Sequence, residues 1–345
     1  MYKILIVLLI TLLNSAGLYA QHVQVFTLYD PNIQVNNSLY NKLKVLDSRA
    51  DTSQLGIVQT GAFNRKAKVV VDKPLAPAIV LIFGKLAAQA TGKGTLLLQL
   101  RQFNFAEVTS AMSEKGYCYL RAGLYSNQGD RYQMISFIDT LVAINGIDVT
   151  RSLMYKGSEL LTDFLMQNML KGPTDSTAYT FQNLVKIDEL EKGKLKLYTT
   201  DAYADGVYLT YRSFANQTPD KAVVVQGNVT SAGTVKALNE KGKLQQVKPQ
   251  KVYAVVYKGQ PFITSRNDFY PLTKTAGDFI FTGKAATSSN SGEVMMASMF
   301  FGMLGTLMAS NAEATFEMKI DHVNGGFIKL REIPITTPAY VDTNF

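Results

Sequence analysis

The side chains that could act as a nucleophile or a general base are few and far apart. The sequence has one cysteine, Cys118, and two histidines, His22 and His322. Cys118 alternates with apolar residues along a predicted strand, so we expect a buried, inert thiol. His322 follows Asp321 directly. Neighbouring residues of a strand point to opposite faces, so Asp321 cannot be the acid that orients His322 as a general base. We therefore expect no bound metal and no cofactor.

Carboxylates are numerous, with 27 aspartates and glutamates in the chain. Acid–base chemistry by two carboxylates that meet in space stays open, because no motif selects a pair. No phosphate-binding loop, nucleophile elbow or dinucleotide-binding glycine motif occurs at a strand–helix junction. Asp47, Arg49 and Asp51 are close enough to form an ion-pair network, which we interpret as fixing a turn.

A polar strand face is the first candidate for binding. The strand that begins at Tyr117 carries tyrosines and an arginine on the face opposite to Cys118, and these residue types anchor partner proteins when they are exposed. Coverage of this face by a helix or a neighbouring strand is the alternative. The candidate residues are Tyr117, Tyr119, Arg121 and Tyr125.

An uncharged segment at residues 294–309 is the second candidate, and it contains five methionines. Asn290 and Glu293 are at capping-box spacing and predict a helix there, after a flexible lead at 285–292. Such a helix rises about 24 Å, too short to span a bilayer comfortably. It is either buried core or a surface for a partner or membrane. Its candidate contact residues are Met295, Met299, Phe300, Gly302, Met303 and Gly305.

The elements that position these residues predict an α+β fold. After an irregular segment at 21–41, residues 42–173 read as a two-layer domain of sheet and helices. Its predicted strands are 42–46, 68–71, 95–105, 117–125 and 131–144, and its helices are 78–90, which we start at Pro77, and 151–170.

Residues 174–345 predict an antiparallel, β-rich domain that contains the methionine-rich helix. A short helix at 184–191 precedes the strands, and Asn324, Gly325 and Gly326 close the clearest hairpin. The predicted strands are 207–214, 222–226, 235–238, 252–257, 279–282, 315–322 and 327–332.

The start of the chain and its charge indicate a location. Residues 1–20 have the basic start, apolar run and small final residue of a signal peptide, so we expect cleavage after Ala20 and export. The net charge of +8 is spread along the chain, which disfavours nucleic-acid binding. The one local excess surrounds a single acid, Glu240, and is interpreted as a solvated strand edge or a contact with an anionic surface. It consists of Lys236, Lys241, Lys243, Lys248, Lys251 and Lys258.

The order strand, Asp47-x-Arg49, strand, helix, strand, hairpin, helix resembles the YajG-type envelope lipoproteins and the related ABC-transport auxiliary proteins over residues 40–172. The chain departs from them because no lipidated cysteine follows its apolar start. The second half resembles a module of uncharacterised secreted proteins of Gram-negative bacteria, through residues 206–219, 252–259 and 269–272. These resemblances imply an envelope location and a fold rather than an activity.

We therefore expect a non-enzymatic protein of the periplasm, the outer membrane or the extracellular space that binds envelope proteins or a membrane surface. Two alternatives stay open, a secreted hydrolase that uses carboxylates and a carrier of a small ligand or lipid with a cavity in the β-rich half. Acids that converge in a cleft would favour the hydrolase. A smooth surface with an exposed apolar helix would favour the binding protein.

Overall fold

The computed structural model describes residues 22–60, 65–109, 114–174, 176–286 and 313–334. The expected signal peptide and the methionine-rich helix lie outside the described residues, as do all six of its candidate contact residues. None of the helices within the described ranges is long and apolar enough to cross a membrane. The described part mixes helices with several sheets, which confirms the α+β, β-rich class.

The first part of the chain builds a curled eight-stranded sheet in the order β1-β4-β3-β5-β6-β7-β8, with β2 also paired to β5. The long strands β5, β6 and β7 are antiparallel neighbours, while β1 runs parallel to β4 and has no second neighbour among the described strands. The strands are β1 Val23–Phe26, β2 Tyr40–Asp47, β3 Gly56–Thr60, β4 Arg65–Val71, β5 Gly94–Thr109, β6 Glu114–Gln128, β7 Arg131–Gly146 and β8 Ala178–Tyr179.

Two helices cover the apolar face of this sheet, α1 Leu75–Leu86 and α2 Thr150–Met166. Phe26, Phe103 and Phe105 stack edge to face or tilted beneath them, with ring centroids 5.1–5.5 Å apart. Helix α2 lies very close to the sheet at Gly157, where an added Cβ would stand 2.4 Å from the Phe105 ring. The sheet and α2 therefore share one tightly packed core.

The start predicted for the first helix is wrong by three residues. The N-cap is Pro74 and the helix begins at Leu75, whereas Pro77 lies inside the first turn. Both prolines suit a helix start because the first-turn N–H groups have no partner within the helix. The rule that proline favours a helix start therefore fits both Pro74 and Pro77, and it does not tell which of the two begins the helix.

The second part is built from small antiparallel sheets, in the orders β10-β11-β12, β15-β14-β13-β9 and β16-β17-β18-β19. Its strands are β9 Gly206–Tyr208, β10 Val223–Val225, β11 Val235–Leu238, β12 Leu244–Gln246, β13 Ala254–Tyr257, β14 Gln260–Ser265, β15 Asp268–Pro271, β16 Thr273–Thr275, β17 Asp278–Ala286, β18 Glu313–Ile320 and β19 Phe327–Ile333. Its helices are α3 Phe181–Val185, α4 Ile187–Lys192, α5 Lys196–Thr199 and α6 Tyr211–Ala215.

Three predictions of local structure need correction. The predicted strand at 207–214 ends at Tyr208, because Thr210 and Ser213 form a capping box that starts α6. The predicted flexible lead begins too early, since residues 285 and 286 pair with β18. The predicted irregular segment at 21–41 contains β1, whose four residues are too few for a periodic pattern to emerge.

Candidate functional site

A cleft with a volume of about 1570 Å³ lies between β1 and the first half of α2. Residues from β1, the end of β3 and the loop before α2 meet around it, so the cleft joins parts of the chain that are distant in sequence. Its lining residues include Gln24, Val25, Tyr29, Thr60, Ile147 and Tyr155. We name this opening the β1 cleft.

An unpaired strand edge forms one wall of the β1 cleft. The His22 carbonyl accepts from the Lys68 N–H at 2.9 Å, and the Phe26 carbonyl accepts from the Asp72 N–H at 3.4 Å. Alternate residues of a parallel strand bond the same neighbour. Val23 and Val25 consequently turn their backbone groups away from β4.

The outward backbone groups of β1 have little to bond to. Val23 and Val25 each turn one N–H and one C=O group outward. Among the described residues, these four groups have a single partner, the Gln24 side-chain amide, which lies 3.5 Å from the Val25 carbonyl. The strand sequence, Val-Gln-Val-Phe, carries no charge and no proline. Charged side chains and proline are the features by which natural edge strands usually discourage pairing with another chain, and β1 has neither.

Exposed apolar side chains continue along the cleft. Ile147 is 90% exposed, and Tyr29 and Tyr155 are about half exposed although their rings lie 4.9 Å apart edge to face. The Tyr29 N–H donates to the Ser158 hydroxyl at 2.7 Å, which fastens this end of the cleft to α2. The two tyrosines thus form a fixed aromatic surface beside the strand edge.

Two carboxyl groups lie close together beside the cleft, and one of them, Glu114, lines it. Glu107 is 7% exposed, and its Oε2 accepts from the Thr150 hydroxyl at 2.7 Å and from the Gln59 N–H at 3.4 Å. Burial and the neighbouring carboxyl group of Glu114 together raise the pKa of Glu107 to about 7, against the opposing hydrogen bonds from Thr150 and Gln59. Glu107 therefore gains or loses its proton near neutral pH.

The carboxyl pair also has a structural role at the start of α2. The N-cap residue is Val149, which offers no side-chain oxygen to the free N–H groups of the first turn. Glu114 instead accepts a hydrogen bond from the N–H of the N-cap residue itself, because its Oε2 lies 3.3 Å from the Val149 N–H. A carboxylate at a helix N-terminus is also favoured by the helix dipole.

The tyrosine and arginine face predicted to bind a partner is covered by the second half of the chain. Tyr117, Arg121 and Tyr125 are at most 5% exposed, and Tyr119 is half-buried. Burial raises the pKa of Tyr119, Tyr125 and Tyr117. Within the described residues three of these four side chains are covered, which favours the structural alternative for this face.

Arg121 instead ties the two parts of the chain together. Its guanidinium contacts Asp321, which follows β18, at 2.6 and 3.1 Å. It also bonds Asp139 on β7 at 3.0 and 3.3 Å, and Asp139 accepts a further hydrogen bond from the Asn324 amide at 3.1 Å. The turn between β18 and β19 is thereby held against the sheet.

A second arginine holds a cluster that has the composition of a metal site. Asp188, Glu191 and His322 place ligand atoms within 4.8 Å of one another. However, the Arg101 guanidinium already contacts Glu191 at 2.7 and 2.8 Å and Asp188 at 2.6 Å. Because this cation neutralises the carboxylates, we interpret the cluster as a salt-bridge network between β5 and α4.

The remaining candidate residues are buried or hydrogen-bonded to neighbouring side chains. Cys118 is fully buried, and burial raises the pKa of its thiol. His322 bonds Glu191 at 2.9 Å, away from Asp321. Arg49 forms two hydrogen bonds to Asp47, at 2.7 and 2.9 Å, which fixes the turn after β2.

Comparison with known proteins identifies no family. No family model matches the chain, and no curated protein matches it. Among solved structures, the chain is similar to a crystal structure of a Xanthomonas campestris protein described as DUF330, with 13% sequence identity and a TM-score of 0.27. This match covers 49% of the chain and 99% of that protein. A similarity this weak carries no argument about activity, and the resemblance to YajG-type proteins is not confirmed.

Proposed function

We propose that this chain is a non-enzymatic protein that binds an extended segment of a partner protein in the β1 cleft. The segment would pair with the free edge of β1 as an added strand. The observation that carries this proposal is the outward-facing backbone of Val23 and Val25, on an edge strand without charge or proline. Strand addition is a common way for proteins to bind peptides, since backbone hydrogen bonds give affinity and side-chain pockets give specificity.

The size and lining of the cleft favour a polypeptide over a small ligand. Its volume of about 1570 Å³ exceeds the usual range of small-molecule pockets, which is roughly 300–1,000 Å³. Ile147, Tyr29 and Tyr155 are exposed beside the edge and can receive the apolar side chains of a bound strand. Tyrosine is a frequent anchor residue in protein interfaces.

We further propose that the partner lies in the cell envelope. The signal-peptide pattern of residues 1–20 and the YajG-like order of elements support an exported protein. Fractionation of expressing cells tests this part separately. Chain that begins near Gln21 in the exported fraction is the expected result, and intact Met1 on cytoplasmic protein contradicts it.

A proline at Val25 tests the cleft. The Val25 N–H faces away from β4, so Val25→Pro removes a hydrogen bond to an added strand but none within the sheet, and edge strands tolerate such a proline. Val25→Ala keeps the N–H and is the matched control. Peptides selected from a display library on the chain without its signal peptide should bind the alanine variant normally. They should bind the proline variant about tenfold or more weakly, because a hydrogen bond is lost and the ring obstructs pairing.

Two outcomes contradict the proposal. One is a library that yields no binding peptide, and the other is a set of selected peptides that bind Val25→Pro as tightly as the wild-type chain. Equal unfolding midpoints in urea for the proline and alanine variants show that the sheet is intact, so that weak binding by Val25→Pro reports on the edge alone.

The carboxyl pair favours a second candidate function, hydrolysis of a substrate bound in the same cleft. Glu114 lines the cleft, its neighbour Glu107 has a pKa raised to about 7, and two such carboxyl groups can activate a water molecule and protonate a leaving group. Glu107→Gln keeps the shape and the acceptor for Thr150 but cannot exchange the proton. A hydrolase loses its activity in this variant, whereas a binding protein keeps its affinity for the selected peptides.

A further inference from the structure

A second surface of the molecule lies in the β-rich half, on the three-stranded sheet β10-β11-β12. One face of this sheet is buried through Val235 and Ala237, which pack with Val207, Val255 and Phe269. The opposite face carries Leu238 and Leu244, which are cross-strand partners. Both leucines are about half exposed, whereas Val235 and Ala237 are buried.

Six lysines lie on this sheet or next to it. The name basic sheet is used here for β10-β11-β12 together with these lysines, which are Lys221, Lys236, Lys241, Lys243, Lys248 and Lys251. Glu240 is the only acid between residues 236 and 251. None of the six makes an ion pair with a described residue, and Lys236 bonds only the neutral Gln226 side chain at 2.6 Å. Their positive charge is therefore not compensated within the described structure.

The lysines lie on both sides of the sheet. A cavity of about 330 Å³ is lined by Lys221, Lys248 and Lys251 together with Ala237 and Val247 of the inner side, and no carboxylate lines it. On the outer face, Lys236 alternates with Leu238 along β11, while Lys241 and Lys243 flank Gly242 in the turn between β11 and β12, where the glycine has φ +71°. The outer face thus presents the two leucines between Lys236 and the lysines of the turn.

We propose that the basic sheet docks on the surface of an anionic lipid bilayer. The lysines would lie at the negatively charged headgroups, which attract basic residues within about a Debye length. The two leucines would enter the interface and add apolar burial, as in other proteins that lie on a membrane. Charge complementarity commits the proposal to an anionic membrane, while the paired leucines favour a lipid surface over a soluble polyanion.

This inference concerns a surface remote in sequence from the β1 cleft and does not depend on the proposed function. The test uses the full chain without its signal peptide and co-sedimentation with vesicles of phosphatidylcholine, alone or mixed with phosphatidylglycerol. We expect binding to the mixed vesicles only, weaker at high salt. Each lysine near such a surface contributes roughly fivefold to binding, so Lys241→Gln with Lys243→Gln should weaken it about twentyfold.

Two further variants separate the alternatives. Lys73→Gln with Lys93→Gln removes the same charge from exposed lysines of the first half and should leave vesicle binding unchanged. Leu238→Ser with Leu244→Ser keeps the charge and should still reduce binding, by about tenfold or more.

Four results would overturn the proposal. They are equal binding to neutral vesicles, equal losses in the two lysine pairs, full binding by the leucine variant, and retention on heparin or nucleic acid without any binding to vesicles. The third result would show that charge alone attaches the chain and that the leucines do not enter the interface, and the fourth would indicate a polyanion-binding protein.

Discussion

Replacing Arg121 by methionine should destabilise the whole described structure. Arg121 is 5% exposed and lies between Asp139 of the first part and Asp321 of the second. Methionine has a similar volume but no charge, so the substitution leaves two largely buried carboxylates without their cation. Removing one partner of a buried ion pair costs about 3–5 kcal/mol of unfolding free energy.

The pH dependence follows from the carboxylates. Burial alone would raise the pKa of Asp139, but the hydrogen bonds and charge of Arg121 hold it below its usual value. A carboxyl group with a lowered pKa contributes stability above its unfolded pKa and loses it as the pH falls through the folded pKa. The cost of Arg121→Met should therefore be largest near neutral pH and shrink in acid, where Asp139 is protonated.

Urea unfolding at several pH values measures this effect. Adding Asp139→Asn and Asp321→Asn to Arg121→Met removes the uncompensated charges and should recover part of the lost free energy. A cost below about 1 kcal/mol at neutral pH would refute the reasoning, because an ion pair that binds the two parts could not be so weak. A triple variant no more stable than the single variant would refute it as well.

Three other predictions concern burial and backbone geometry. Glu107→Gln should stabilise the protein by about 3 kcal/mol above pH 7 and have little effect below pH 4.5. The reason is that the folded protein loses stability as Glu107, whose pKa is raised to about 7, is forced to ionise. Urea unfolding at several pH values measures this difference in the free energy of unfolding. Cys118→Ala should cost roughly 1 kcal/mol, and thiol reagents should not label the native wild-type chain; fast labelling would contradict its burial. Gly325→Ala should cost about 2 kcal/mol or more in thermal unfolding, because φ is +78° and the new Cβ would lie 2.2 Å from the Tyr211 ring; an unchanged midpoint would contradict this.

Periodic patterns predicted the long elements of the first part. Cys118 alternates with apolar residues in β6, and Leu153, Leu161 and Leu165 recur along α2, so both elements follow from the sequence. Short elements were harder to predict from the sequence. The four residues of β1 depend on pairing with another strand, and the five of α6 depend on a local cap.

The candidate site could not be predicted from any single segment. The β1 cleft brings Val25, Thr60, Ile147 and Tyr155 together, and no local pattern connects them. The face of Arg121 was assigned a binding role as one possibility, because alternation shows that residues share a face but not what covers it. The lysine excess was visible in the sequence, but its position beside exposed leucines depends on the register of β11 and β12.

Hydrogen exchange at the backbone of β1 tests most directly whether this strand receives an added strand. The amides of Val23 and Val25 face away from β4, whereas the Gln24 amide faces β4 and is already protected. Binding of a selected peptide should slow exchange at Val25 and Val23 and leave Gln24 little changed. A bound peptide that leaves all three exchange rates unchanged would contradict strand addition at β1.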